Sequence, residues 1–138
     1  MNNFHFLIVD DDEVDVLAIK RILINIDKDL SFSVASNGEE ALKFIRSEAG
    51  DVGEDKKRLI VLLDLNMPKM NGHEFLQELR NDPEIGHTIV FVLSTSSDPK
   101  DVDASYQKYV SGYLPKSNLD ANRFRELFES YLHLMRLP

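Results

Sequence analysis

The stretch LIVLLDLNMPKMNG, Leu59 to Gly72, opens as an unbroken apolar run, stops on the carboxylate of Asp64, and passes into a turn containing Asn, Pro and Gly. A short run of this kind, apolar at successive positions instead of alternating, is what a strand covered on both faces by helices requires. Three further runs share the design. FHFLIV, Phe4 to Val9, ends on Asp10 and Asp11; IVFVL, Ile89 to Leu93, ends on Ser94; SGYLP, Ser111 to Pro115, ends on Lys116. In an open parallel sheet the carboxyl ends of the strands share one edge, and that edge is where such folds hold their ligands. Three carboxylates, a hydroxyl and an ammonium group are thereby expected to meet.

A shorter segment, Phe32 to Ala35, is half polar and suits an edge strand. Helical patterns separate the strands. Val16, Ile19, Ile22, Leu23 and Ile26 predict a helix over Asp12 to Ile26. Asn37 with Glu40 has the spacing of a capping box for a second helix, Glu74 to Arg80 forms a third, and Asp98-Pro99 supplies the cap and first position of a fourth. Phe124, Leu127, Phe128, Tyr131, Leu132 and Met135 trace the apolar stripe of a last one. Five strand–helix units with right-handed crossovers predict an α/β, doubly wound, five-stranded parallel sheet in the order 2-1-3-4-5, helices on both faces. Its switch point lies between the strands that end at Asp10 and Asp64. Ser47 to Arg58 reads as a polar loop.

The 138 residues suit one domain, 1–138, with no added output module. A net charge of −8 argues against nucleic acid, and no run approaches the roughly 20 apolar residues of a membrane span. The absence of cysteine removes disulfides, thiolate nucleophiles and Cys metal sites. With no secretory signal pattern at the start, a cytoplasmic location is expected.

Crowded carboxylates resist joint ionisation unless something positive sits among them. No second basic cluster accompanies Asp10 to Asp12, so a divalent cation is inferred, and all-oxygen ligands favour Mg²⁺. Asp11 and Asp64 are the expected direct ligands, with the backbone carbonyl of Asn66 as a third and Asp10 acting through water. A carboxylate beside such an ion is also a nucleophile towards phosphorus, and Asp64, alone at its strand end, is the better candidate. Pro68 and Gly72 are expected to shape the following loop, Gly72 through backbone angles closed to other residues. Lys116 would then pair with one phosphoryl oxygen and Ser94 would donate to another.

Together IVDDD, LLDLNMPKMNG, VLSTS and GYLPK, in this order at strand ends, resemble the receiver domain of bacterial two-component response regulators across essentially the whole chain. The resemblance implies Asp64 as phosphoacceptor, Asp10 and Asp11 as the acidic pair, Ser94 as switch hydroxyl, Tyr113 as switch aromatic and Lys116 as the phosphate-sensing lysine. It implies a histidine kinase as phosphodonor, self-phosphorylation and self-dephosphorylation as the only chemistry, and a response at the surface of the fourth and fifth helices and the last strand. The long loop before the third strand, LLDLNMPK and the terminal YLHLMRLP are similar to the regulators that serve bacterial phytochrome kinases, a subclass that often pairs through its carboxyl-terminal face. Leu134, Met135, Leu137 and Pro138 carry apolar character beyond one helix face, consistent with such a homodimer. One departure stands out: Ser117, not proline, follows Lys116, and a cis bond there would cost about 3 kcal/mol.

Taken singly these residues have plainer readings. Asp10 to Asp12 suit the amino end of a helix, which is all that is expected of Asp12; Ser94 alone is a loop hydroxyl and Lys116 alone a solvated cation. Their common edge favours the functional reading. His5, His73, His87 and His133 show no ligand spacing and are expected on the surface or in packing. Two other functions compete. An aspartyl-nucleophile phosphatase wants a second aspartate two residues beyond the nucleophile, where Asn66 stands; a phosphorylation-independent binding module would not need the reactive set.

Overall fold

The computed structural model describes residues 4–48, 51–52, 57–67, 69–118 and 120–134. The apolar runs become strands β1 (Phe4–Val9), β2 (Ser31–Ala35), β4 (Lys57–Leu63), β5 (Ile89–Ser94) and β6 (Gly112–Pro115), all parallel, in the order β2-β1-β4-β5-β6. This is the expected 2-1-3-4-5 arrangement. One strand falls outside it: β3 (Asp51–Val52), within the segment read as a polar loop, pairs antiparallel with Arg58 and Lys57. β1 already occupies one side of Arg58, and β5 begins only opposite Ile60, so β3 fills an otherwise unpaired stretch of β4. Two residues are too few to carry a readable period.

Five α-helices connect the strands: α1 (Glu13–Ile26), α2 (Gly38–Glu48), α3 (Gly72–Asn81), α4 (Pro99–Gln107) and α5 (Ala121–Leu134), with a 3₁₀ turn η1 (Lys116–Asn118) before the last. Alternation along each strand sorts side chains into two cores. Phe6, Ile8, Ile60, Leu62, Phe91 and Leu93 face α1 and α5, meeting Val16, Ile19, Leu23, Phe124 and Phe128. Phe128 sits edge-on against both Phe6 and Phe91, so one aromatic from α5 pins the middle of the sheet. Leu7, Val9, Val61, Leu63, Val90 and Val92 face the other way, towards Leu42, Ile45, Phe75, Leu76 and Leu79 of α2 and α3.

The helix starts show which caps the sequence signals created. Asp12 caps α1, its Oδ1 accepting from the N–H groups of Val14 and Asp15, and Asp98 caps α4 with Pro99 following. At α2, Asn37 accepts from the Glu40 N–H at 2.9 Å, but the Glu40 carboxylate turns to the N–H and hydroxyl of Ser36 instead of closing the expected box. The complete capping box belongs to Asn71 and Glu74, which starts α3 at Gly72, two residues earlier than expected. The cap signal at Asn71 outweighed the weak apolar pattern. His5 is buried, bonded to the hydroxyls of Ser31 and Ser33 across β1 and β2 and stacked on Phe44, a packing role. Pro68 and the apolar extension over Met135, Leu137 and Pro138 lie outside the described residues.

Arg80, in the last turn of α3, locks the far end of the molecule. Its guanidinium donates to four backbone carbonyls: Lys108 at 2.7 Å, Gly86 at 2.8 Å, Thr88 at 2.6 Å and Tyr109 at 3.1 Å. Lys108 is the C-cap of α4 and Tyr109 follows it; the helix has no basic residue in its own last turn, so Arg80 answers its negative end from outside. Burial lowers the pKa of the guanidinium, yet no base near neutrality removes its proton. Arg80→Met keeps the aliphatic stem and strands four carbonyls; it is expected to lower unfolding free energy by roughly 2–4 kcal/mol, read as a shifted urea midpoint at unchanged slope.

Candidate functional site

Register places the reactive groups. Ala35, Val9, Leu63, Val92 and Tyr113 align across the sheet, so Asp10 and Asp64 are neighbours in the next row. The ladder continues into them: the Asp10 N–H donates to Ala35 O at 3.1 Å and the Asp64 N–H to Val9 O at 2.9 Å. Both carboxylates are nearly sealed, 3% and 6% exposed, while Asp11 is open to solvent. Asp10, Asp11 and Asp64 each offer an oxygen within 4.8 Å of the others. Three hard oxygen donors at that spacing, one of them solvent-facing, suit a divalent cation that retains water. Asp10 has both oxygens engaged, Oδ1 by the Asp12 N–H at 3.0 Å and Oδ2 by Lys116 Nζ at 2.8 Å.

Lys116 joins the acidic cluster, as its place at a strand end predicts, reaching from the end of β6 past β5 and β4 to the end of β1. Its Nζ lies 2.8 Å from Asp10 Oδ2, 2.8 Å from Asp15 Oδ2 and 3.5 Å from Asp64 Oδ1. The Lys116–Ser117 bond is trans. Burial alone would lower the Lys116 pKa, but the bonds from Asp10 and Asp15 outweigh it and the ammonium is held above its ordinary range. Asp64 moves the other way for a carboxylate: desolvation raises it to about 6, against the pull of Lys116, with the Asp10 charge adding to the rise and the Asn66 N–H opposing it. That N–H reaches Asp64 Oδ1 at 3.3 Å; among the described residues nothing bonds Oδ2.

The loop after Asp64 is shaped differently from expectation. The left-handed residues are Lys69 (φ 41°) and Met70 (φ 61°), not Gly72. Gly72 is required by space, because a Cβ there would stand 2.6 Å from Leu65 Cα and 2.9 Å from Asp64 O. Its N–H donates to Leu65 O at 3.0 Å, drawing the start of α3 against the strand end.

Ser94 and Tyr113 occupy the opposite side of the sheet edge. Ser94 is fully buried and its Oγ accepts from the Ser96 N–H at 3.1 Å; no bond joins it to Asp64 or Lys116. The Tyr113 hydroxyl donates to Ser96 O at 2.9 Å, and its ring packs in the α2–α3 core. Two participants escaped the sequence reading. Asp15, on Lys116, was signalled by nothing more than an acid one turn into α1. Asp101 receives the Ser96 hydroxyl at 2.6 Å and pairs with His73 at 3.0 Å, so the loop after β5 is tied to α3 through a histidine read as a surface or packing residue.

The sequence profile described as the response regulator receiver domain matches residues 6–129. The response regulator Rcp1 of Synechocystis sp. is 33% identical over 111 residues, covering 80% of this chain and 75% of that protein. The crystal structure of the phosphorylated cyanobacterial phytochrome response regulator RcpA superposes with a TM-score of 0.78 at 30% identity, covering 97% of each chain. The Mn²⁺-bound form of Rcp1 gives 0.72 at 31% identity, covering 97% of this chain and 98% of that one.

The raised Asp64 pKa has a thermodynamic sign. The folded protein binds more protons than the unfolded chain between about pH 4 and about pH 6, so this carboxylate destabilises the fold above 6 and ceases to do so below 4. Asp64→Asn is expected to stabilise the metal-free protein at pH 7 by roughly 2–3 kcal/mol, a gain that fades as pH falls through 6. Thermal denaturation of both proteins from pH 4 to 8 measures it, and a difference independent of pH would contradict the burial argument.

Proposed function

The chain belongs to the response regulator receiver domain family, and from that premise we propose that it accepts a phosphoryl group on Asp64 from a histidine kinase in a Mg²⁺-dependent reaction. The observation that carries this reading is the desolvated Asp64 carboxylate, with one oxygen unengaged among the described residues, beside the acidic pair and within 3.5 Å of an ammonium. An Asp64 oxygen attacks phosphorus as the bond to the kinase imidazole breaks, leaving an acyl phosphate and returning the electron pair to the ring nitrogen. Asp11, Asp64 and the Asn66 carbonyl would hold a divalent cation, with Asp10 acting through water, and such an ion would supply neutralisation of charge on the transferred oxygens. Lys116 offers a point charge to one of those oxygens and Ser94 a hydroxyl to another.

Ser94 Oγ accepts from the Ser96 N–H and keeps its own hydrogen to donate, so drawing it towards the phosphoryl group would pull on Ser96, whose carbonyl is held by Tyr113. The added charge of about −1.5 to −2 is thus converted into movement of the β5–α4 loop. The surface of α4, β6 and α5 is the output, and it already shows exposed aromatic area at Tyr106 and Tyr109. Partner binding or homodimerisation through the carboxyl-terminal face would read the change. Similarity to the phytochrome response regulator RcpA supports a kinase of the phytochrome type, and such a partner would be met in the cytoplasm.

Incubation with Mg²⁺ and acetyl phosphate, followed by intact mass measurement, is expected to add one phosphoryl group to the wild type and none to Asp64→Asn. The adduct should be lost on treatment with base. An adduct that persists in Asp64→Asn, or turnover of a phosphoester substrate, would contradict the assignment.

A further inference from the structure

The contact between Lys116 and Asp15 is not explained by the phosphoryl-transfer roles above. Asp15 belongs to the first turn of α1, not to a strand end, yet its Oδ2 stands 2.8 Å from Nζ, as close as Asp10 and closer than Asp64. Alternation puts Lys116 on the same face of the sheet as Asp10, Asp64 and α1, because Leu114, two residues earlier, packs in the core beneath α1 and α5. A lysine carries four rotatable bonds and much conformational freedom, and Lys116 opens the short 3₁₀ turn Lys116–Asn118, which does not by itself fix its side chain. Side-chain contacts must therefore aim the ammonium.

We infer that Asp15 is a positioning residue for Lys116, fixing two of its three N–H donors between Asp15 and Asp10 so that the third is directed at the oxygens carried by Asp64. The geometry suits that role. The Lys116 side chain is 10% exposed and its Nζ holds two short bonds, while the contact to Asp64 is long and leaves the third donor uncommitted. Asp15 is itself well placed to act as a fixed post. Its backbone N–H donates to the Asp12 cap, which ties it to the first turn of α1. Among the described residues no other cation pairs with it.

This inference rests on the proposed phosphoacceptor role, and its test separates the two. Binding of beryllofluoride, a phosphoryl mimic, is measured by calorimetry at saturating Mg²⁺ for wild type, Asp15→Asn, Asp15→Ala, Lys116→Met and the Asp15→Ala/Lys116→Met double variant. Loss of a partly exposed partner should weaken binding about threefold to fivefold in both Asp15 variants. The loss should vanish in the Lys116→Met background, since the effect passes through the ammonium. Equal loss in both backgrounds, tighter binding, or no change would overturn the inference while leaving the phosphoacceptor reading intact. Absence of binding by the wild type would defeat both.

A second readout needs no metal. The ¹⁵N-labelled ammonium signal of Lys116 should be sharp in the metal-free wild type and broadened or lost in Asp15→Ala, with unchanged melting temperature excluding general unfolding. A signal equally sharp in both proteins would overturn the inference even if Lys116→Met binds too weakly to titrate.

Discussion

One ammonium ion shared by three carboxylates makes the carboxyl edge of this sheet tenable. The parallel fold drives Asp10 and Asp64 into adjacent, nearly sealed positions, where two like groups lose their water and face one another. Lys116 offsets that cost unevenly. It bonds Asp10 and Asp15 at 2.8 Å but approaches Asp64 only to 3.5 Å, so Asp10 is well compensated and Asp64 is left with its pKa near 6. The strand ends thus hold two carboxylates of the same type in different surroundings: both Asp10 oxygens are bonded, whereas Asp64 keeps one oxygen unbonded among the described residues.

Alternation along the strands divides the edge into two functions. Asp10, Asp64 and Lys116 fall on the side of α1 and α5, where charge is gathered. Ser94 and Tyr113 fall towards α2 and α3, where the loop after β5 is held by the Ser94, Asp101 and Tyr113 contacts. In the proposed reaction these halves meet only through the phosphoryl group, which would be the one species that touches both Lys116 and Ser94. Meanwhile the far end of α4 is clamped by Arg80 onto carbonyls of its own last residues and of the turn before β5. In the proposed switch, movement at the site would therefore be directed into the amino-terminal half of α4 and the adjoining loop.

The apolar runs were readable because both faces of a central parallel strand are buried and five or six consecutive residues must be apolar. The caps at Asp12 and Asp98 were readable because they depend on local backbone geometry, and the same locality made Asp64 conspicuous at its strand end. The capping box at Asn37 and Glu40 failed for a reason beyond spacing: Ser36 offers two donors to the Glu40 carboxylate, and the pair of bonds outcompetes one N–H. At Gly72 the residue type was informative but its cause was not. Close approach of Leu65 and Asp64, not an unusual φ, excludes a side chain there.

Order along the chain, the strand count of the parallel sheet, and the edge where Asp10, Asp64 and Lys116 meet all follow from periods and stops that any local window contains. Folding in three dimensions was needed to bring Lys116 over three strands onto Asp10, to recruit Asp15 from a helix, to separate Ser94 from Asp64, and to add β3 where β4 lacked a neighbour. Those outcomes depend on distances between elements distant in sequence. Periodicity says which face a residue occupies; it does not say how far a flexible lysine reaches, or which of several nearby carboxylates will hold it.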